Sequence, residues 1–83
     1  MNKVLDVRPE SDGCVFVKLA DGRTGLFDVH PYLQTDYYRE LENPEYFRQV
    51  RIFFRGIGWP NGQDFSPDTI AAELREVAAT RAI

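Results

Sequence analysis

The sequence predicts a two-layer α+β domain, in which an antiparallel sheet of four to five strands is covered by a C-terminal helix and one or two short helices. Three observations support this class. The first third of the 83-residue chain alternates between β-rich runs and turn residues. Residues 50–55 alternate again, and an amphipathic helical stripe follows near the end of the chain. A sheet with one apolar face and a helix with one apolar stripe bury those surfaces economically against each other.

The first three predicted strands form a meander. Residues 3–9 give the first strand, which ends in a proline that cannot donate to a strand ladder. Residues 14–20 are rich in β-branched and aromatic side chains and give the second strand. Asp21-Gly22 is a two-residue hairpin signal, because glycine adopts a positive φ without steric cost. Residues 23–29 are therefore predicted to pair back as the third strand.

Short elements fill the middle of the chain. Cap residues predict two short helices, one over residues 37–41 and one that begins at Pro44, after the Asn43 cap, and runs through Arg48. The alternation of residues 50–55 predicts a fourth strand. The Gly56-Ile57-Gly58 run breaks that strand and is predicted as a tight turn, after which residues 57–59 continue as a short fifth strand.

The clearest predicted helix comes last. Ser66 is its N-cap and Pro67 occupies its first position. An apolar stripe at i, i+4, i+7 and i+8 spacing predicts the face that covers the sheet. The stripe comprises Ile70, Leu74, Val77 and Ala78.

Composition narrows the function classes. The length predicts one domain over residues 1–83, with its core over residues 3–79. One cysteine forms no internal disulfide, and one cysteine with one histidine is too few for a metal site, so we expect no metal, no cofactor and a cytoplasmic location. The net charge of −3 gives no general attraction to nucleic acid or to membranes. No apolar run is long enough to cross a membrane.

Asp28 and His30 are the strongest candidates for acid–base chemistry, because side chains at i and i+2 of a strand share a face. A small-molecule or enzyme site would combine them with Asp64. We favour the simpler interpretation that Asp28 caps the N–H groups of the following turn. Cys14 is predicted to lie away from this pair, at the far end of the partner strand, as a small apolar residue.

Arg51, Phe53 and Arg55 are predicted to share one face of the fourth strand. A solvated face is the simplest interpretation, with the arginine stems covering the ring. A protein interface is the second, because arginine is enriched there. Nucleic-acid binding is the third, because two guanidinium groups around a ring can stack a base and hold phosphate.

Trp59 and Asp64 lie in the Trp-Pro-Asn-Gly-Gln-Asp run, for which two interpretations stand. In the binding interpretation, Trp59 is an interface anchor and Asp64 is a fixed acceptor. In the favoured structural interpretation, Trp59 closes the edge of the core, Gly62 supplies a positive φ, and Asp64 accepts from turn amides.

Three spaced segments resemble a bacterial family known as domain of unknown function 2442. They are the hairpin of residues 15–23 running into 27–33, the segment 41–50, and the segment 59–70 with its Trp-Pro-Asn-Gly-Gln-Asp run. The resemblance covers residue 4 to about residue 74. It implies an α+β fold and no established reaction.

The resemblance also implies a kind of partner. It implies that family members occur as free-standing small proteins or as domains joined to a helix-turn-helix segment. It also implies that some are encoded beside a second small protein, as in toxin–antitoxin pairs. We therefore predict a non-enzymatic module that binds another protein, as a regulatory or antitoxin-like half of a pair. Nucleic-acid binding is the alternative, and a homo-oligomer is also compatible. The predicted surface comprises Arg51, Phe53, Arg55, Trp59 and Asp64.

Overall fold

The strands form two antiparallel sheets, with strand orders β1-β2-β3-β7 and β4-β5-β6. The computed structural model describes residues 2–10 and 13–76. Short helices connect the sheets, so the α+β class is confirmed. The elements in chain order are β1 (Val4–Pro9), β2 (Cys14–Leu19), β3 (Thr24–Asp28), a 3-10 helix (His30–Tyr32), a second 3-10 helix (Asp36–Glu42), α1 (Pro44–Phe47), β4 (Arg51–Phe53), β5 (Gly56–Gly58), β6 (Asp64–Phe65), α2 (Pro67–Glu73) and β7 (Arg75–Glu76).

The meander β1-β2-β3 has the predicted order. In β2 the side chains of Val15, Val17 and Leu19 are almost completely buried, as the alternation of the sequence predicts. The antiparallel register pairs Cys14 with Asp28 at one end of the hairpin. This register brings the first residue of β2 beside the last residue of β3.

The predicted fourth and fifth strands form the second sheet together with β6, instead of extending the meander. β4 is shorter than the predicted run 50–55, because Phe54 and Arg55 have positive φ angles of 47° and 69° and turn the chain. The run Gly56–Gly58 is thus a buried strand and not the predicted tight turn. Gly56 is needed there because a Cβ would overlap the carbonyl oxygen of Phe65.

The last helix starts as predicted and ends early. The Ser66 side chain accepts a hydrogen bond from the N–H of Thr69 at 3.2 Å. The helix stops at Glu73, because Leu74 is extended and the next two residues pair with β3. Gly25 of β3 permits this pairing, since a Cβ there would overlap the backbone of β7. Ile70 is buried and Leu74 is partly buried, whereas positions 77 and 78 of the predicted stripe lie outside the described residues.

Aromatic rings fill the space between the two sheets. Phe65 of β6 stacks on Tyr38 with ring centroids 4.6 Å apart and meets Phe27 edge-on at 4.8 Å. The predicted helix over residues 37–41 is the second 3-10 helix, which buries Leu41. Within the described ranges, no helix is long and apolar enough to cross a membrane.

Candidate functional site

The turn between β4 and β5 carries the most exposed large apolar side chain described. Phe54 is 83% exposed and Phe53 is 36% exposed, and their ring centroids lie 4.5 Å apart. Arg51 and Arg55 are exposed beside them. We call these four residues, 51 and 53–55, the hairpin tip. The tip therefore combines two adjoining phenylalanine rings with two exposed arginines.

The backbone of the hairpin tip adopts a conformation that its residues disfavour. Positive φ at both central residues is the requirement of a type I′ turn, for which Asn-Gly is preferred. Here those positions are occupied by Phe54 and Arg55. A positive φ is a genuine outlier for a bulky side chain and costs on the order of 1–3 kcal/mol, and such residues cluster at functional sites. The Phe54 ring is thus exposed on a turn whose backbone conformation lowers stability.

Strand pairing decides which predicted surface residues share a face. Arg51 pairs with Gly58, and Gly58 pairs with Asp64, so Arg51 and Asp64 lie in one row across the second sheet. Phe53 is two residues from Arg51 and lies on the same face. Arg55 departs from the predicted alternation because it belongs to the turn, where its carbonyl accepts from the N–H of Val4 at 2.7 Å. This bond ties the tip to the edge of the first sheet.

Trp59 lies in the core and not on the predicted interaction surface. Only 2% of the residue is exposed, and its indole Nε1 donates to the carbonyl of Phe47 at 2.9 Å. The ring packs near those of Phe47 and Phe65. An indole that is buried with its one donor satisfied is a packing element. This arrangement corresponds to the structural interpretation of the Trp-Pro-Asn-Gly-Gln-Asp run.

Polar contacts hold the rest of that run as a structural turn. Gly62 has a φ of 104°, as predicted. Tyr46 Oη donates to Gln63 Oε1 at 2.5 Å and accepts from the N–H of Asn61 at 2.7 Å. The amide groups of Asn61 and Gln63 both donate to the carboxylate of Glu40. This network fixes the loop against the second 3-10 helix.

Asp64 is partly buried, and its backbone carbonyl accepts a shorter hydrogen bond than its carboxylate does. Its carbonyl accepts from Tyr38 Oη at 2.9 Å, whereas its carboxylate accepts from Tyr37 Oη at 3.5 Å. Its backbone also pairs with Gly58. Among the described residues, Asp64 is not in the cluster that contains Asp28 and His30. The predicted three-residue site is therefore not assembled.

A polar cluster lies at the end of the first sheet where β2 begins and β3 ends. Asp28 Oδ1 accepts from the backbone N–H of His30 at 2.9 Å and lies 2.7 Å from His30 Nδ1. Cys14 Sγ lies 4.0 Å from the same oxygen. The capping role predicted for Asp28 is confirmed. The prediction that Cys14 lies away from the pair is wrong, because the antiparallel register places it opposite Asp28.

The charge of Asp28 is stabilised in this cluster. Partial burial raises the pKa of the carboxyl group, but the hydrogen bonds and charge of His30, with a smaller contribution from Arg75, outweigh it. The net effect lowers the pKa of Asp28 below its ordinary value. The carboxylate therefore stays ionised beside the thiol and the imidazole.

Comparison with known proteins agrees with the resemblance read from the sequence. A family model described as "Protein of unknown function (DUF2442)" matches residues 4–76. The chain belongs to the DUF2442 family. No curated protein and no solved structure matches the chain. The matched range runs from β1 to β7, so the hairpin tip and the polar cluster both lie within the DUF2442 domain.

Two residues of this DUF2442 domain were absent from the predicted sites. Phe54 was missed because strand alternation assigned it to the face opposite Phe53. No strand pattern marks it, because Phe54 lies in the turn beyond β4, where its φ is positive. Cys14 was assigned to the wrong end of its hairpin. The Asp21-Gly22 signal alone does not place it beside Asp28, because a two-residue turn pairs Cys14 with Val29, whereas the loop spans residues 20–22 and shifts the register by one residue.

Proposed function

We propose that this DUF2442 chain is a protein-binding module whose hairpin tip inserts into an apolar recess of a partner protein. The observation that carries the proposal is Phe54, a ring that is 83% exposed on a backbone with positive φ. Neither packing nor turn chemistry favours phenylalanine there. Large aromatic side chains that are exposed in the free protein and buried in a complex are typical interface hot spots.

Charge complementarity defines the rim of that recess. Arg51 and Arg55 precede and follow the two phenylalanines in the sequence, and both are exposed. Arginine at an interface pairs with carboxylates in a planar two-point geometry that lysine does not provide. The partner surface is therefore an apolar pocket that is lined by carboxylates at its edge. These charges set orientation and association rate more than affinity.

The biological role that we propose is the regulatory or antitoxin-like half of a two-protein pair in the cytoplasm. The resemblance to family members encoded beside a second small protein supports this role. The single cysteine supports the location, because no internal disulfide stabilises the domain. Asp64 is on the face of Arg51, but its carboxylate accepts from Tyr37 Oη, so we place it outside the docking surface.

Affinity capture with matched variants tests the proposal. The bait is the full chain as wild type, as Phe54→Asn, and as Tyr37→Asn, with extract from the source cells. Tyr37 is a suitable control because it is an aromatic residue that is 54% exposed on another element. The protein retained by wild type is then produced and its Kd is measured by calorimetry. We expect Phe54→Asn to weaken binding about 30-fold or more and Tyr37→Asn to change it by about threefold or less.

Asparagine is chosen at position 54 because it tolerates positive φ, so the variant retains the turn. Circular dichroism of each bait confirms its fold. If wild type retains no protein in preference to Phe54→Asn, the hairpin tip is not a docking surface and the proposal is overturned.

Nucleic-acid binding is the second candidate, because the exposed Phe54 ring between Arg51 and Arg55 also fits base stacking with phosphate contacts. Titration of the same variants with single-stranded and duplex probes at two salt concentrations decides it. Tip-dependent binding that weakens steeply with salt would support nucleic acid. Binding that is absent at low salt would eliminate this candidate.

A further inference from the structure

We propose that Cys14, Asp28 and His30 form a binding site for a divalent transition metal, with Zn²⁺ as the metal that fits best. Each residue offers one ligand atom, and the three atoms all lie within 4.8 Å of one another. Thiolate sulfur, imidazole nitrogen and carboxylate oxygen are the three ligand types that zinc sites in proteins use. The mixed donor set disfavours Mg²⁺ and Ca²⁺, which prefer oxygen ligands alone.

The backbone holds the three ligand residues in place before any metal arrives. Cys14 and Asp28 are opposite each other in the β2–β3 ladder. The N–H of Val29 donates to the carbonyl of Gly13 at 2.9 Å, which continues the pairing beyond the strand end. The N–H of His30 donates to Asp28 Oδ1. Such preorganisation reduces the conformational entropy that the protein loses when it binds a metal.

Small side-chain rotations convert the cluster into a coordination site. Zinc–ligand distances of about 2.0–2.3 Å place tetrahedral ligand atoms roughly 3.3–3.8 Å apart. Asp28 Oδ1 lies 2.7 Å from His30 Nδ1 and 4.0 Å from Cys14 Sγ. The required shifts are on the order of 1 Å, with the metal replacing the hydrogen bond between carboxylate and imidazole.

The absence of a side chain at Gly13 leaves room for the His30 imidazole. A Cβ at position 13 would lie 3.0 Å from His30 Cε1 and 3.1 Å from Nε2. The ring therefore rests against bare backbone, at a residue whose φ of 73° also favours glycine. A larger residue would push the histidine away from Cys14 and Asp28.

Two charged groups near the cluster have opposite effects on the binding of a cation. The ionised carboxylate attracts it, whereas a guanidinium nitrogen of Arg75 lies 3.9 Å from Asp28 Oδ2 and competes for the same group. Arg75 belongs to the two-residue strand β7 and its side chain is 67% exposed, so it can swing into solvent. Three protein ligands leave the fourth tetrahedral position for water or for a group from another molecule.

The metal site is independent of the hairpin tip. The tip is joined to the first sheet at Val4, which pairs with Leu19 at the last position of β2. Cys14 is the first residue of the same strand, roughly 17 Å away at about 3.3 Å per residue. Loss of either surface therefore leaves the other intact, and the two proposals fail separately.

Metal titration of the tag-free full chain tests the site. Co²⁺ is the spectroscopic probe, because a cysteine ligand adds a thiolate-to-cobalt charge-transfer band in the near ultraviolet. Calorimetry with Zn²⁺ gives the affinity and the stoichiometry. We expect the cobalt band, one Zn²⁺ per chain, and displacement of Co²⁺ by Zn²⁺.

Matched variants assign the ligands. Cys14→Ser and His30→Gln should each weaken Zn²⁺ binding about tenfold or more, and Cys14→Ser should abolish the cobalt band. Asp21→Asn is the control, because Asp21 also accepts from a backbone N–H two residues on, at the other end of the hairpin. It should leave binding unchanged. Arg75→Gln should tighten binding several-fold, because it removes the competing cation.

Three results would overturn the site. They are a cobalt spectrum without a thiolate band, equal Zn²⁺ affinity in wild type and Cys14→Ser, and a stoichiometry of one metal per two chains. The cobalt spectrum needs no variant, so the test does not depend on whether a substituted chain folds.

Discussion

The ring of Phe53 lies across the backbone of Gly58 in the neighbouring strand. A Cβ at position 58 would be 3.0 Å from Phe53 Cβ and 3.1 Å from its Cγ and Cδ2. The edge strand β4 thus packs the ring of Phe53 directly on β5. A glycine in a strand often marks a close approach of this kind. The support of the hairpin tip therefore depends on the absence of a side chain at this position.

Gly58→Ala should move the Phe53 ring and destabilise the domain. Overpacking of this kind costs about 1–3 kcal/mol in the free energy of unfolding. Denaturant unfolding of Gly58→Ala, Phe53→Ala and the double variant measures the coupling. In the Phe53→Ala background the ring is gone, so the alanine should cost less. Additive effects of the two substitutions would show that the ring and Gly58 do not contact each other.

Replacing Phe54-Arg55 with Asn-Gly should stabilise the domain and remove its binding surface. Both positions have positive φ, which asparagine and glycine adopt at lower cost. We expect the free energy of unfolding to rise by about 1 kcal/mol, with an unchanged denaturant m-value. The partner affinity should fall at the same time. A less stable Asn-Gly variant would contradict the assignment of strain to this turn.

The meander could be predicted because its signals are local. The Asp21-Gly22 turn and the alternation of β2 fix a hairpin without reference to the rest of the chain. The early end of α2 could not be predicted in that way. The spacing of Ile70 and Leu74 is helical, but the exposed edge of β3 at Gly25 offers pairing to the next residues. A tertiary contact therefore overrides a local pattern.

Predictions for the candidate site likewise succeed where the signal is local and fail where a tertiary contact decides. Arg51 and Phe53 share a face as strand alternation predicts, since β4 exists over both. Trp59 can be buried only where a carbonyl acceptor lies within reach of its indole N–H. Phe47 supplies that acceptor from α1, a relation between segments that no spacing in the sequence reveals. The Cys14–Asp28 contact depends on a three-residue loop over residues 20–22, which shifts the register by one residue from that of the predicted Asp21-Gly22 turn.

Tyr46→Phe should be more harmful than Tyr38→Phe, although each removes one hydroxyl. The Tyr46 hydroxyl serves both Gln63 Oε1 and the N–H of Asn61, and Gln63 is only 6% exposed. Its removal leaves two polar groups without that partner, for a loss of about 1–3 kcal/mol. The Tyr38 hydroxyl donates one part-buried hydrogen bond, to the carbonyl of Asp64, for a loss of about 0.5–1.5 kcal/mol. Equal midpoints in thermal unfolding would contradict this ranking.

Stability at alkaline pH should depend on Tyr32. Its hydroxyl donates to the Glu73 carboxylate, whose two oxygens lie 2.8 and 2.7 Å away, and thereby links the first 3-10 helix to α2. This hydrogen bond, with burial and the charge of Glu73, raises the pKa of Tyr32 to about 12, whereas an unfolded tyrosine ionises near 10.

Above a pH of about 10 the unfolded chain loses a proton that the folded chain keeps, so ionisation stabilises the unfolded state. The contribution of Tyr32 is therefore complete below about pH 10 and is lost as the pH rises through about 12. Unfolding of wild type and Tyr32→Phe is measured at about pH 9 and about pH 11. The stability difference between them should shrink at the higher pH, because only wild type carries this group. A difference that stays constant would show that Tyr32 has an ordinary pKa in the folded domain.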